Sequence, residues 1–430
     1  MPSRSSRHVL RLAAAVVSVA VLATPAHATR YTRSFHDGRG LRLKTIRDTK
    51  GPEQIRVLTL RPGRSVPDIA PADPAYPMWA LTSTMSAKIG AIAGVNGDFG
   101  TSKGQPKHPL MIDGELWTSG QFAGSAIGWS ANGRTAFIGR PRLKIRGRDL
   151  SRRARFFVAD WNAGAPRAGG IGGYTFRGGT VTRPPGSMQP QATDPHWCAA
   201  RLVPDRPIGW NSKRKSALVR RYTVDAQPEP CPKTPLGLGS TKGNVVIAVK
   251  ASSPRAQKLL RLKPNDTVNL STSFKHWPRV TDVMGAQQML VRDHHNIAPG
   301  YHDGADHIFD YNPRTAMGIS KGCSDTVRST RCRIFLITID GRQSTWSSGV
   351  RMPRLAGELI RAGAWKAVNL DGGGSTTMWS RKRKSQFCES VPDVGGCLVQ
   401  RPSESFGERV TRSAIAILPH IDRGTPRQLR

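Results

Sequence analysis

Asp371 ends an apolar run and is followed directly by three glycines and a serine. Three adjacent glycines are costly to order, because glycine loses more backbone freedom on folding than any other residue. They also let successive backbone N–H groups point into one concavity, which then binds an anion. No lysine follows at the Walker A spacing, so the stretch does not predict a nucleotide P-loop. A bare turn after a strand is the alternative. The candidate anion donors are Gly372, Gly373, Gly374 and Ser375.

A second acid, Asp340, follows another apolar, β-branched run. A helix is then expected between Pro353, which suits a first helical turn, and Gly363, which suits a helix end. A further strand leads into Asp371. Strand, helix and strand over this length predict a βαβ unit with parallel strands. Both acids would then lie at the same, carboxyl, edge of the sheet, where open α/β sheets place their ligands.

Arg314 lies in a turn before a predicted strand. An arginine fork holds a phosphate through two parallel hydrogen bonds, which makes Arg314 a candidate phosphate ligand. The alternative is that Arg314 is simply one of the many surface arginines of a strongly basic chain.

The chain is strongly basic, since 65 Lys and Arg residues against 29 Asp and Glu residues give a net charge of +36. The excess is spread along the sequence. Such a protein attracts polyanions through its long-range field. Outside the cell these are phosphate-rich envelope polymers and anionic lipids, so we do not expect nucleic acid as a partner.

The N-terminal residues predict secretion. Arg4, Arg7 and Arg11 precede an apolar run, and a small-residue cleavage site ends at Ala28. We interpret residues 1–28 as a signal peptide; the alternative is an uncleaved anchor, for which the apolar run is short. No later segment is apolar enough for a membrane helix. The predicted location is therefore extracellular or cell-wall associated.

Six cysteines fit an oxidising compartment. The count alone allows many connectivities, and sequence proximity favours one of them. The favoured pairs are Cys323–Cys332, Cys388–Cys397 and Cys198–Cys231. No C-x-x-C pair is present, so the pattern does not indicate a zinc or thioredoxin-like site.

We predict an α+β fold, with a mixed β-sheet core, packed helices and a C-terminal βαβ unit carrying the active-site loops. The role of residues 160–240, as a lid or a subdomain, stays open. The predicted segments are a signal peptide (1–28), an N-terminal β-rich segment (29–84), the N-terminal part of the catalytic region with long Gly/Pro-rich loops (85–282), the catalytic core (283–420) and a basic tail (421–430).

Several stretches, in their order along the chain, resemble the phosphodiester glycosidase family. They are Val95–Phe99, Pro313–Gly318, Ile339–Arg342, Val368–Ser375, Arg401–Glu404 and Glu408–Arg409. The resemblance runs from about residue 85 to 420 and is densest from 283 to 418. The chain differs from related sequences at Gln400, Ala286 and His294.

The resemblance implies hydrolysis of a glycosyl-1-phosphodiester, such as one of N-acetylglucosamine 1-phosphate, between the anomeric carbon and the phosphate oxygen. It implies Asp371 as nucleophile or general base and Asp340 as its partner or orienter. Asp98 ranks below Asn96, because relatives vary at that position. The implied substrate contacts are Arg314 for phosphate, Asn96 and Asn369 for sugar hydroxyls, the Gly372–Ser375 turn, and Arg409.

We expect no cofactor and predict no metal ligands; whether a divalent cation assists the reaction is left open. The predicted substrate is a carbohydrate phosphate within an anionic envelope polymer. Fold alone does not decide the reaction. The alternatives are therefore an exo-glycosidase acting on a phosphate-free polysaccharide and a non-catalytic protein that binds envelope polyanions.

Overall fold

The computed structural model is built mainly of β-strands. It describes residues 30–36, 40–49, 51–76, 78–102, 104–122, 124–163, 169–178, 197–211, 216–225, 231, 243–300, 310–323, 331–382 and 387–419. The predicted signal peptide and basic tail lie outside these residues. Within them, 27 strands and three α-helices are present.

The helices are α1 Thr82–Lys88, α2 Ala256–Leu260 and α3 Met352–Ala362. The strands, in chain order, are β1 Arg30–His36, β2 Leu41–Asp48, β3 Glu53–Leu60, β4 Ser65–Pro71, β5 Ala93–Asn96, β6 Leu110–Ile112, β7 Glu115–Thr118, β8 Ser125–Trp129, β9 Ala136–Gly139, β10 Leu143–Asp149, β11 Arg155–Trp161, β12 Ile171–Tyr174, β13 Trp197–Pro204, β14 Gly209–Trp210, β15 Leu218–Val224, β16 Val245–Lys250, β17 Thr267–Phe274, β18 Asp282–Ala286, β19 Met289–Arg292, β20 His295–Asn296, β21 Arg314–Ile319, β22 Ile334–Ile339, β23 Lys366–Asn369, β24 Met378–Ser380, β25 Glu389–Ser390, β26 Cys397–Leu398 and β27 Ser413–Pro419.

The described strands form four sheets. Sheet I has the order β1-β2-β3-β22-β21-β23-β19-β20, and sheet II has the order β25-β26-β24-β5-β27-β4. Sheet III has the order β7-β6-β18-β8-β9. Sheet IV has the order β13-β16-β12-β11-β10-β17-β15-β14. Because β13 also pairs with β15, seven strands of sheet IV close into a ring.

Sheets I, II and III surround the main hydrophobic core, to which β21 contributes Met317 and β5 contributes Val95. The opposite face of sheet I is also covered, because Ala316 and Phe335 pack in a cluster with α3. Burial on both faces explains why β21 and β22 are almost continuously apolar. Sheet IV encloses a separate core around residues such as Ile247.

The boundaries of α3 follow from its sequence. Pro353 lies in the first turn, and Gly363 ends the helix with a φ of 102°. That left-handed conformation favours glycine. Leu355 and Leu359 lie on the buried face and pack against sheet I.

The predicted α+β class with packed helices is wrong. The three helices of the described residues have only 7, 5 and 11 residues, and most other apolar segments pair as strands. The predicted βαβ unit is present only in part. β22 and β23 are parallel to each other, since both run antiparallel to β21, but β21 lies between them. Strand periodicity does not show which strand inserts between two others, and this caused the error.

The predicted segments are interleaved in space. Segment 29–84 contributes β1, β2 and β3 to sheet I and β4 to sheet II, where β3 pairs with β22 and β4 pairs with β27. The two segments therefore share sheets I and II and do not fold as separate units. The segment boundaries themselves stay a prediction.

Two features bear on the compartment. The predicted disulfides are confirmed, and they join Cys198–Cys231, Cys323–Cys332 and Cys388–Cys397. Three disulfides are typical of an oxidising, extracellular compartment. Among the described residues, no helix combines the length and the apolar character needed to cross a membrane.

Glu358 on α3 is the centre of a buried ion network. Its carboxylate is 1% exposed and lies 2.5 Å from Arg30, 2.6 Å from Arg361 and 3.0 Å from Arg354. Burial alone raises the pKa of Glu358, but the hydrogen bonds from Arg30 and Arg361 outweigh it and hold the pKa below its usual value. The network ties α3 to the edge strand β1.

We predict that Glu358→Gln lowers the free energy of unfolding by about 1–3 kcal/mol at neutral pH, because three partly solvated arginines lose their shared anion. The folded-state pKa lies below the unfolded one, so this stabilisation is present above the unfolded pKa. It is lost as pH falls through the folded pKa. Urea unfolding at neutral and acid pH measures both effects. The exposed Glu389→Gln is the control, and equal stability of wild type and Glu358→Gln at neutral pH would contradict the prediction.

Candidate active site

Asn96 is fully buried at the end of β5, where sheets I and II meet. Its Nδ2 donates to the Asp371 carbonyl at 2.7 Å. Its Oδ1 accepts from the Thr315 hydroxyl at 2.7 Å and from the Thr377 N–H at 3.0 Å. The Asp371 N–H donates to the Gly97 carbonyl at 3.1 Å. Asp371 follows a strand of sheet I, yet its backbone is held by sheet II.

The Asp371 carboxyl is half-buried in a charged environment. Burial raises the pKa of Asp371 to about 6, and the Asp98 charge adds to the rise. The Ser375 hydroxyl and the guanidiniums of Arg409 and Arg412 act against this increase in the pKa. A carboxyl that exchanges its proton near neutral pH suits a general base or a nucleophile.

Asp98 is a second buried carboxyl beside this one, and it faces His108. The His108 Nδ1 lies 2.9 Å from Oδ1 of Asp98 and 3.0 Å from Oδ2, with both side chains almost fully buried. Gly285 lies against the pair, where a Cβ would overlap both His108 and Asp98. Asp98 is therefore fixed within charge range of Asp371.

Asp340 is also buried but has other partners. Its Oδ2 lies 2.7 Å from Nη1 of Arg56 and accepts the Trp346 indole N–H at 2.6 Å. It also accepts the Arg401 N–H at 3.3 Å. Burial raises the pKa of Asp340, and the Arg56 charge acts against this. The ends of β22 and β23 are about 10 Å apart, two strand spacings. The nearer charges of Asp98, Arg409 and Arg412 are the ones that shift the pKa of Asp371 most.

The glycine turn after Asp371 closes as a 3₁₀ turn over Gly373–Ser375. Its donors are largely engaged within the protein. The Gly372 N–H donates to the Asp371 carboxylate at 3.0 Å. The Gly373 N–H donates to a carbonyl of the preceding β21 loop at 2.9 Å, and Ser375 N–H closes the turn at 3.2 Å. These three N–H groups are bonded without any substrate.

Gly374 and Gly373 show why the turn carries no side chains. A Cβ on Gly374 would overlap Oε1 of Glu404 and Nη2 of Arg409. Gly373 has a φ of 60°, and a Cβ there would lie 3.0 Å from Nη2 of Arg342. The groups that approach the bare backbone are therefore guanidiniums and a carboxylate of the chain itself.

Three arginines, Arg342, Arg409 and Arg412, surround this turn and Asp371. Arg409 and Arg342 share the single carboxylate of Glu404, at 3.5 and 3.8 Å. Arg412 stacks on Trp79 with its guanidinium carbon 4.0 Å from the ring centroid. Three cations face two carboxylates, Glu404 and Asp371, so the cluster keeps an excess of positive charge that suits an anionic group.

Arg314 lies behind this cluster and is buried. Its Nε donates to the Val350 carbonyl at 3.0 Å, and its Nη2 donates to the Asp310 carbonyl at 2.7 Å. Burial lowers the pKa of Arg314 to about 10, and the nearby Arg342 charge adds to the effect. Its guanidinium is braced by backbone carbonyls.

Asn369 is buried on β23, and its Nδ2 donates to Oε1 of Gln288 at 3.1 Å. Its Oδ1 has no hydrogen-bond partner among the described residues. The structure therefore brings part of the predicted set together. The residues gathered around the turn are Asp371, Asn96, Arg314, Arg409, Gly372, Gly373, Gly374 and Ser375, whereas Asp340 and Asn369 have separate partners.

One group of acids in the described part of the chain could hold a metal ion. Oxygens of Asp68, Asp113 and Asp282 all lie within 4.8 Å of one another. Burial, together with the Asp68 and Asp113 charges, raises the pKa of Asp282 well above its usual value. A shared proton relieves such a cluster without a cation.

The sequence analysis did not name Arg412 and ranked Asp98 below Asn96, whereas the structure brings the charges of both Asp98 and Arg412 close to Asp371. Asp98 carried a signal, because it follows a strand end just as Asp371 does. Arg412 carried none, since its position depends on the pairing of β27 with β5.

A sequence model of the phosphodiester glycosidase family matches residues 216–418. The resemblance is confirmed over that range, which contains Asp371, Arg314 and Arg409 but not Asn96 or Asp98. This match supports a glycosidase-type hydrolase. No curated protein matches the chain.

Solved structures share the fold. A hypothetical protein from Synechocystis matches with a TM-score of 0.60 and 17% identity, over 91% of this chain and 64% of that one. This chain thus spans less than two thirds of the Synechocystis protein. A putative exported protein from Burkholderia pseudomallei matches with a TM-score of 0.55 and 21% identity, over 86% and 75% of the two chains.

The zebrafish N-acetylglucosamine-1-phosphodiester alpha-N-acetylglucosaminidase catalytic domain, auto-inhibited by its pro-peptide, has a TM-score of 0.38 and 13% identity. That match covers 91% of this chain and 82% of the zebrafish chain, and its score is too low to support an argument.

Removing a negative or a positive neighbour of Asp371 is expected to shift the pKa of Asp371 in opposite directions. Asp98→Asn removes a negative neighbour and lowers the pKa of Asp371, whereas Arg412→Gln removes a positive one and raises it. Carbon-13 NMR titration of labelled aspartate carboxyls measures both, with Asp371→Asn to assign the signal. The exposed Asp393→Asn is the control and leaves the titration unchanged. Shifts of the same sign in both variants would contradict this arrangement.

Proposed function

We propose that the protein hydrolyses a glycosyl-1-phosphodiester at the anomeric C–O bond, because a model of the phosphodiester glycosidase family matches residues 216–418. The substrate class is that of N-acetylglucosamine 1-phosphate diesters. The observation that carries the proposal is the position of one carboxyl, Asp371, beside the glycine turn and the guanidiniums of Arg409 and Arg412; burial raises the pKa of this carboxyl to about 6. This places a base next to cations, as a sugar bonded to phosphate requires.

The ionised Asp371 carboxylate is the working form. It attacks the anomeric carbon, or deprotonates the water that does, and the bond from that carbon to the phosphate oxygen breaks. If Asp371 is the nucleophile, a water molecule then attacks the same carbon of the glycosyl–Asp371 ester, which releases the sugar and restores the carboxylate. The electron pair stays on the phosphate, which leaves as a monoester. Glycosyl transfer passes through an oxocarbenium-like state, which a neighbouring carboxylate stabilises. Phosphate is a good leaving group, so the demand for a general acid is small.

Arg409 and Arg412 bind the phosphate in this proposal, since both face Asp371, and Arg342 adds charge from across the turn. Preorganised cations stabilise the charge that develops on the leaving oxygen. Arg314 supports them from behind. Asp98 acts as the second carboxylate, because its charge keeps the pKa of Asp371 high.

Asp340 is a positioning residue in this account. It accepts the Arg401 N–H, and the segment beginning at Arg401 carries Glu404 and Arg409 to the glycine turn. Asn96 positions Asp371 through the Asp371 carbonyl. Asn369 stays a proposed sugar contact, because its buried Oδ1 has no hydrogen-bond partner in the part of the chain that the structure describes.

We place the enzyme outside the cell, on an anionic envelope polymer. Three disulfides support the compartment. The net charge of +36 supports the polymer, because it draws the protein to polyanions.

We predict that the methyl phosphodiester of α-N-acetylglucosamine 1-phosphate, cleaved in ¹⁸O-water, carries the label on the sugar. Asp371→Asn lowers kcat by about a thousandfold or more, because the nucleophile or base is lost. Mass spectrometry of both products locates the label. Label on the phosphate would show P–O attack and refute the mechanism. Turnover of phosphate-free glycans alone would indicate an ordinary exo-glycosidase, and no turnover of either would indicate a binding protein.

Gly374→Ala provides a second test, since the atoms nearest to its Cβ belong to Glu404 and Arg409, which it would displace. We expect kcat/KM for the methyl diester to fall by about 10–100-fold, the scale on which small misplacement of a binding group acts. Gly209→Ala is the matched control, because a Cβ there has no atom within 4 Å. Full activity of Gly374→Ala would exclude a role for the Glu404–Arg409 pair.

A further inference from the structure

A basic groove with a volume of about 620 Å³ opens on sheet I near the end of α3. Four exposed arginines, Arg42, Arg61, Arg64 and Arg333, line its walls, and Phe335 is part of its floor. The volume is in the range of small-ligand sites. No carboxylate is among its described lining residues.

Strand register explains why the arginines converge. Arg42 is paired with Thr59, and Thr59 is paired with Phe335, so the three side chains form one row across β2, β3 and β22. Side chains two residues apart share a face. Arg61 and Arg333 are therefore the next pair in this register, on the same face. Like charges directly opposite each other destabilise a sheet.

These four guanidiniums differ from other arginines of the described chain. Arg354 contacts three carboxylates, and Arg152 contacts two. None of the groove arginines has an ion pair with a described residue. Arg42 donates a hydrogen bond to the Ser34 hydroxyl, which carries no charge. Among the described residues, therefore, no carboxylate neutralises the repulsion within the groove.

The groove is separate from Asp371. Arg333 precedes β22 and Asp340 follows it, so the two residues lie about 23 Å apart at opposite ends of the strand. Asp371 lies at the Asp340 end, because β23 is parallel to β22. A ligand that reaches both places must be a chain of several repeating units.

We propose that the basic groove is a non-catalytic binding site for a phosphodiester-linked anionic glycan, the polymeric form of the substrate. The inference rests on the proposed function for the identity of the polymer. The groove binds phosphates two or three repeats away from the cleaved linkage and raises the residence time of the enzyme on its substrate.

The test uses a fluorescent oligo(N-acetylglucosamine 1-phosphate) of several repeats, with binding measured by anisotropy at about 0.15 M salt. Arg61→Gln/Arg333→Gln weakens Kd by about tenfold and reduces the salt dependence of binding, since two phosphate contacts are lost. The matched control Arg155→Gln/Arg261→Gln removes the same charge from exposed sites elsewhere and changes Kd less than about twofold. Thermal melting verifies that both variants fold, and kcat/KM for the methyl diester stays unchanged in both.

Equal weakening in the two pairs, no weakening in the groove pair, or no oligomer binding by the wild type would each overturn the proposal. Vesicles containing phosphatidylglycerol are a parallel probe. If Arg61→Gln/Arg333→Gln loses vesicle binding but still binds the oligomer, the groove is assigned to a membrane surface instead. If the wild type binds the oligomer through the groove but cleaves no diester, the proposed function fails and the groove remains an anion site.

Discussion

The Asn96 side chain bonds to both sheets that form the site, and the position of Asp371 depends on those bonds. One amide accepts from Thr315 of sheet I and from Thr377 beside sheet II, and it donates to the Asp371 carbonyl. These partners are buried, so a lost bond leaves a polar group without water. The junction is therefore rigid, and a rigid junction is what a catalytic carboxylate requires.

Two opposing effects set the chemistry at that junction. Burial and the Asp98 charge raise the pKa of Asp371, while Arg409 and Arg412 act against them. Because burial is the largest effect, the pKa of the Asp371 carboxyl is about 6 rather than the usual value of an aspartate. In the proposed mechanism the same arginines bind the phosphate, so one arrangement would serve both the base and the leaving group. The glycines matter because they let Glu404 and Arg409 come against the backbone.

Local features of the molecule could be predicted from the sequence, and long-range ones could not. Pro353 and Gly363 define α3, and two disulfides close loops with separations of only 9 residues. Asp371 and its glycines also form a local signal. By contrast, Asn96 and Asp371 are 275 positions apart. The insertion of β21 between β22 and β23 and the ring of sheet IV likewise depend on distant pairing, so the fold class was wrong. Asp340 shows the same limit, since its partner Arg56 comes from β3.

The account centres on Asp371 facing the anomeric carbon while Arg409 and Arg412 face the phosphate. A crystal structure of the full mature chain, soaked with a non-hydrolysable C-glycosyl phosphonate of N-acetylglucosamine, tests this most directly. The predicted result is an anomeric carbon about 3–3.5 Å from an Asp371 oxygen, with the phosphonate on the two arginines. A sugar bound beside Asp340, or a phosphonate away from both arginines, would contradict the account.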